Sequence, residues 1–122
     1  MSSGNISILT LTIAAAGSLA ASRFVTQAGA YPTAGGKAFG VTRSQADAAG
    51  DLLPVDVLGT AIVETGAAVA LDADLMVDAT GRVVTLTTGG KVPLGRAMEA
   101  ASAAGGFIEV LLLPSAGVVS PA

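Results

Sequence analysis

The chain contains neither cysteine nor histidine. The first absence excludes disulfides, thiolate nucleophiles and Cys-bound zinc. The second removes the usual general base near neutral pH and the commonest metal ligand. Tryptophan is missing too, and Phe24, Phe39, Phe107 and Tyr31 are the only aromatics. The interior must therefore be valine, leucine and isoleucine packed around small residues. Charge is sparse: nine acids face six bases, Arg23, Lys37, Arg43, Arg82, Lys91 and Arg96, for a net charge of −3. Those bases stand apart, whereas phosphate binding needs clustered Lys and Arg to displace counterions, so direct nucleic-acid binding is not expected.

What is present points to a small β-rich body. A length of 122 residues suits one domain spanning 1–122, large enough to bury a proper core. Hydrophobic residues make up 52%, although about a fifth of the chain is alanine, which adds little burial per residue. Sixteen glycines indicate many reversals.

Residues 1–22 carry no charged side chain. A secretory leader wants a basic start, and Met-Ser-Ser-Gly-Asn offers none. The run Ile6-Ser7-Ile8-Leu9-Thr10-Leu11-Thr12-Ile13 instead alternates apolar with polar, with one slip at Leu9. That pattern predicts a β-strand with a bulge at the slip, within an extended N-terminal arm over 1–13. The run is too short for a membrane span. Its apolar residues Ile6, Ile8, Leu9, Leu11 and Ile13 are candidates for binding a neighbour.

The chain also resembles itself. Residues 22–29 align with 74–81, 35–40 with 89–95, and 48–55 with 103–110; a weaker match joins 11–21 to 63–73. The offset grows from 52 through 54 to 55, which divides the chain into similar halves of about 54 residues, 6–59 and 60–114, before a tail at 115–122. A barrel or sandwich built from two such halves is the expected fold, mainly β, with at most one or two short helical turns, at 44–49 and 98–104. Asp78-Ala79-Thr80-Gly81 reads as a turn joining Leu75-Met76-Val77 to Arg82-Val83-Val84-Thr85-Leu86 in a hairpin. Gly89-Gly90 and Gly105-Gly106 mark further reversals, with an extended run from Val92 to Ala100 between them. The run from Phe107 to Leu113, apolar on both faces after Glu109, reads as a central strand.

No motif supports catalysis. Gly35-Gly36-Lys37 and Gly89-Gly90-Lys91 lack the earlier glycine and the following Ser or Thr of a phosphate loop. Asp72, Asp74 and Asp78 leave the calcium-loop spacing after two positions, because Met76, Val77 and Val83 occupy the later ones. No Gly-x-Ser-x-Gly elbow occurs. An enzyme, a cofactor and a metal are all unexpected.

Together these segments resemble a known family. The Gly36-Lys37 turn, Phe39-Gly40-Val41, the Ala48-Ala49-Gly50-Asp51 turn and the strand with Val55 and Val57 are similar to phage capsid cement or head decoration proteins. So are Asp78 to Val84, Leu94 to Gly105 and Ile108 to Leu112; the likeness to lambda-type head decoration proteins is more distant. The resemblance spans about residues 20–113. It implies a structural virion protein, made in the host cytoplasm, that decorates and stabilises the outer capsid surface. Such a protein binds the major capsid protein, as a homo-trimer or other homo-oligomer, and touches neither nucleic acid nor membrane. An exported adhesion or ligand-binding β module, with residues 1–21 cleaved off, is the alternative.

Overall fold

The structure is a computed structural model, and it describes residues 6–113. Among them there is no helix; eight strands form one sheet. They are β1 (Ser7–Ala14), β2 (Phe24–Val25), β3 (Gly40–Thr42), β4 (Leu52–Glu64), β5 (Asp74–Val77), β6 (Val83–Thr85), β7 (Gly95–Ala97) and β8 (Phe107–Leu112). The order is β2-β3-β4-β8-β7-β5-β6, with β1 also paired to β4. After Glu64 the chain bridges back to β6 through Thr65 and Val83, so the sheet curls into a nearly closed barrel.

Turn chemistry sets the hairpin where the sequence places it. Asp78 Oδ1 accepts hydrogen bonds from the Thr80 and Arg82 amides and the Thr80 hydroxyl. Gly81 takes a φ of +81°, which a side chain would resist. Val77 then stands opposite Val83, and Leu75 opposite Thr85. Neither short helical turn forms, because the central alanines are used elsewhere. Ala46 exchanges both backbone hydrogen bonds with Leu19, and Ala101 does the same with Val69. A residue bonded across the molecule cannot also close a local helical ring. Of the run from Val92 to Ala100, only Gly95–Ala97 is a regular strand.

Strand β4 is the spine. Its first part lies between β1 and β3, and its second part pairs with β8. The pairing with β1 is regular from Ala14↔Leu52 to Thr10↔Asp56, then irregular about Leu9↔Leu58, where the sequence slip predicts a bulge. A one-residue slip turns every later side chain to the opposite face. The core divides accordingly. Leu53 and Val55 join Ile13, Ala15, Leu19, Val25 and Ala46 in one cluster. Beyond the irregularity, Ala61 and Val63 join Phe24, Val41, Leu75, Val77, Val83, Ile108 and Val110 in the other. Neighbours Phe24 and Val25 face different clusters, so β2 packs between the two. Strand β4 also crosses the boundary between residues 59 and 60, so no break in the sheet separates the sequence halves there.

Four backbone hydrogen-bond arrangements of the first half have counterparts in the second. Ala15 N–H donates to Asp51 O, as Thr65 N–H donates to Gly106 O. Ser22 N–H donates to Thr42 O, as Asp72 N–H donates to Ala97 O. The Leu19–Ala46 exchange matches that of Val69 with Ala101, and Phe39 N–H to Val25 O matches Leu94 N–H to Leu75 O. Equivalent positions lie 50 apart early in the unit and 55 apart late in it. Only the last sequence block, at 55, shares its offset with this pattern. Ser22 and Asp72, an equivalent pair, are also the two non-glycine residues with positive φ among those described, at 59° and 70°.

Candidate interaction surface

Strand β1 places the five apolar candidates unequally. Ile13 is buried at 7% exposure opposite Leu53, and is core rather than surface. Ile6 and Ile8 are 66% and 72% exposed, and Leu9 and Leu11 are exposed as well. The strand is thus not a free arm in this chain: residues 7–14 run as a ladder on β4, while the start of the arm, 1–5, lies outside the described residues. The tail at 115–122 lies outside them too.

The apolar surface continues from β1 across the sheet. Leu9 pairs with Leu58, and both are exposed. On β8, Ile108 and Val110 point inward, opposite Val63 and Ala61, which leaves Phe107 and Leu111 on the outer face. The central position expected for β8 therefore holds, yet one of its faces meets solvent at Phe107, Leu111 and the following Leu113. Between them Glu109 is buried, and its amide donates to Glu99 Oε1 at 2.8 Å. Exposed apolar groups on adjacent strands, with little charge among them, are the composition of a surface that partners cover.

Charged groups elsewhere serve structure. Glu64 Oε1 accepts from Arg23 Nη2 at 3.0 Å and Arg23 Nε at 3.2 Å, and Glu64 Oε2 lies 3.6 Å from Arg82 Nη1. Arg82 Nε is 3.5 Å from Asp78 Oδ2, and Arg23 Nη1 donates to Thr80 O at 3.0 Å. This cluster ties the first half to the second-half hairpin. Apart from the Asp78–Arg82 pair, four residues apart, no spacing in the sequence announces it, because Arg23, Glu64 and Arg82 are distant in the chain. Asp72 and Asp74 each sit 3.6 Å from Arg96, and Asp78 caps its own turn. The three aspartates are thereby used as ion-pair partners and a turn cap. The two Gly-Gly-Lys turns meet each other: Val92 N–H donates to Gly35 O, and a Cβ on Gly35 would strike the Lys91 side chain.

Asp56 is buried at 1% exposure under β1. Its Oδ1 accepts from Thr10 Oγ1 at 2.9 Å, and Thr10 in turn meets Ser7 Oγ at 2.8 Å. Its Oδ2 has Arg43 Nε at 3.6 Å. The arrangement fastens β1 to β4.

Comparison with known proteins fits this picture. A family model described as phage cement protein matches residues 1–112. A search of curated proteins finds no match. Among solved structures, the head fiber gp8.5 N base of bacteriophage phi29 is similar, with a TM-score of 0.68 and 19% identity over 86% of this chain and 93% of that one. At that identity the likeness is one of fold. A match along residues 1–112 is a likeness of sequence, and on that ground the chain belongs to the phage cement protein family, a structural component of the phage capsid.

Proposed function

We propose that this protein decorates the outer surface of a phage head and stabilises it by binding the major capsid protein, as a homo-oligomer and without catalysis. The observation that carries this reading is the uncharged segment from Ile6 into strand β1, which offers Ile6, Ile8, Leu9 and Leu11 to solvent from a hydrogen-bonded sheet. Apolar side chains held on a strand bind with little loss of conformational freedom. Several copies on one lattice gain avidity, so each contact can be modest. Binding the assembled shell better than its loose subunits then stabilises the shell by mass action.

Co-sedimentation with purified heads tests the reading. Deleting residues 1–13 would be a poor probe, because it also strips Ile13 from the core and the ladder from β4. Replacing Ile6 and Ile8 with Asp changes exposed positions only. Wild type should pellet with heads and the double variant should stay in solution; equal pelleting of the two would defeat the role given to β1. The adhesion-module alternative requires loss of residues 1–21, which would remove buried Ile13, Ala15 and Leu19. The intact mass of the native protein separates the two readings.

A further inference from the structure

Among the described residues, one contact of the hydrogen-bond pattern shared by the two halves, Glu64 N–H to Ser22 O, has no counterpart fifty positions away. The edge of β4 that faces away from β8 is bonded within the chain at two positions. Thr60 N–H donates to Ile6 O at 2.8 Å and Glu64 N–H to Ser22 O at 3.0 Å. The Arg23–Glu64 ion pair flanks the second contact.

Fifty positions earlier, the equivalents of Thr60 and Glu64 are Thr10 and Ala14. Ala15 N–H donates to Asp51 O, on the β4 side, whereas Ala16 N–H donates to Gly29 O on the far side. Backbone direction alternates along a strand, so Thr10, Thr12 and Ala14 also turn away from β4. Pro54, opposite Thr12, agrees: it has no N–H, and its carbonyl is taken by Arg43 on the β3 side. Among the described residues no strand pairs with this edge of β1.

The covering element has an unused equivalent as well. Asp72 matches Ser22 in its positive φ and in the bond its own amide makes, to Ala97 O where Ser22 bonds Thr42 O. Ser22 O accepts the Glu64 amide, but among the described residues no backbone group donates to Asp72 O. Leu71, immediately before it, is 62% exposed.

We propose that a second copy of this chain completes the pattern: the 70–73 loop of one copy docks on the β1 edge of the next, with Ala14 N–H donating to Asp72 O. The occupant is a second copy because donor and acceptor both belong to this chain, and the same contact already exists inside it as Glu64 to Ser22. In place of the Arg23–Glu64 ion pair the docked copies set Ala73 against Ala14, small and uncharged, and they cover Leu71. An unprotected strand edge without charge or free-edge proline favours such pairing. Two different patches meet, so the contact is head-to-tail and closes into a ring if the rotation allows. This rests on the oligomeric part of the proposed function and adds the surfaces that meet.

Sedimentation velocity of the free protein over roughly 1–100 µM, without heads, provides the test. Wild type should sediment as a discrete oligomer. Leu71→Glu, an exposed loop change, and Ala14→Glu should each weaken association about tenfold or more. Ala14→Glu combined with Ala73→Arg should restore it by rebuilding the Arg23–Glu64 pair between copies. Far-UV circular dichroism of each variant verifies folding. Wild type monomeric over the whole range, or Leu71→Glu associating as wild type does, would overturn the proposal. Because heads are absent, failure to bind them leaves this result standing, and a monomer that still binds heads refutes this proposal alone.

Discussion

Replacing Glu64 with Ala should destabilise the fold by about 2–3 kcal/mol. The carboxylate is 17% exposed and meets two guanidinium groups, on Arg23 at 18% and Arg82 at 30% exposure. Charge-assisted hydrogen bonds contribute about 1.5–3 kcal/mol each and do not add when they share an acceptor. Breaking a fully buried pair costs roughly 3–5 kcal/mol, whereas an exposed pair is worth about 0–1. Partial exposure of all three groups places this cluster between those limits. Glu64→Gln, which keeps shape and one acceptor, should cost less, about 1–2 kcal/mol. Urea unfolding followed by far-UV circular dichroism is the appropriate assay, since the chain has no tryptophan for fluorescence. At about 4 °C per kcal/mol, the melting temperature of the Ala variant should fall by roughly 8–12 °C. Self-association raises apparent stability, so the comparison is made at matched low concentration. Pairing Glu64→Ala with Arg23→Ala should show coupling of about 1–2 kcal/mol. Additive losses, or a Glu64→Ala cost under about 0.5 kcal/mol, would mean that the cluster does not hold the two halves together.

Two further substitutions probe the ladder and the turn. Gly59 has a φ of +105°, and a Cβ there would strike Ile6 O. Gly59→Ala should cost about 2 kcal/mol or more and release the start of β1, seen as faster amide exchange at the Thr60 N–H that bonds Ile6 O; unchanged protection there would refute it. Asp78→Ala removes the acceptor for three hydrogen bonds in the β5–β6 turn and should cost roughly 1–2 kcal/mol in urea unfolding, with a loss below about 0.3 counting against the turn's role.

Local chemistry was legible from residues alone. The Asp78–Gly81 reversal needs only its own side-chain acceptor and a glycine, so sequence placed it and the hairpin it closes. The alternation of Ile6 to Ile13 with its slip at Leu9 announced both β1 and its irregularity. The scarcity of aromatics left a core of valine, leucine and isoleucine, with Phe24 as its one buried aromatic. The succession of turns and strands from the Gly36-Lys37 turn to Val57 carried the resemblance to the cement proteins.

Tertiary structure decided the rest. Ile13 and Ile8 look alike in sequence, yet one is core and the other is surface, because burial depends on how β1 pairs with β4, some forty positions away. The same long-range closure brings Arg23, Glu64 and Arg82 together, and it lets Ser22 cover one strand edge while, among the described residues, no strand pairs with the matching edge on β1. Short-range preferences fix turns and alternation, but the partner of each strand and the identity of a free edge emerge only when distant segments compete for the same backbone groups.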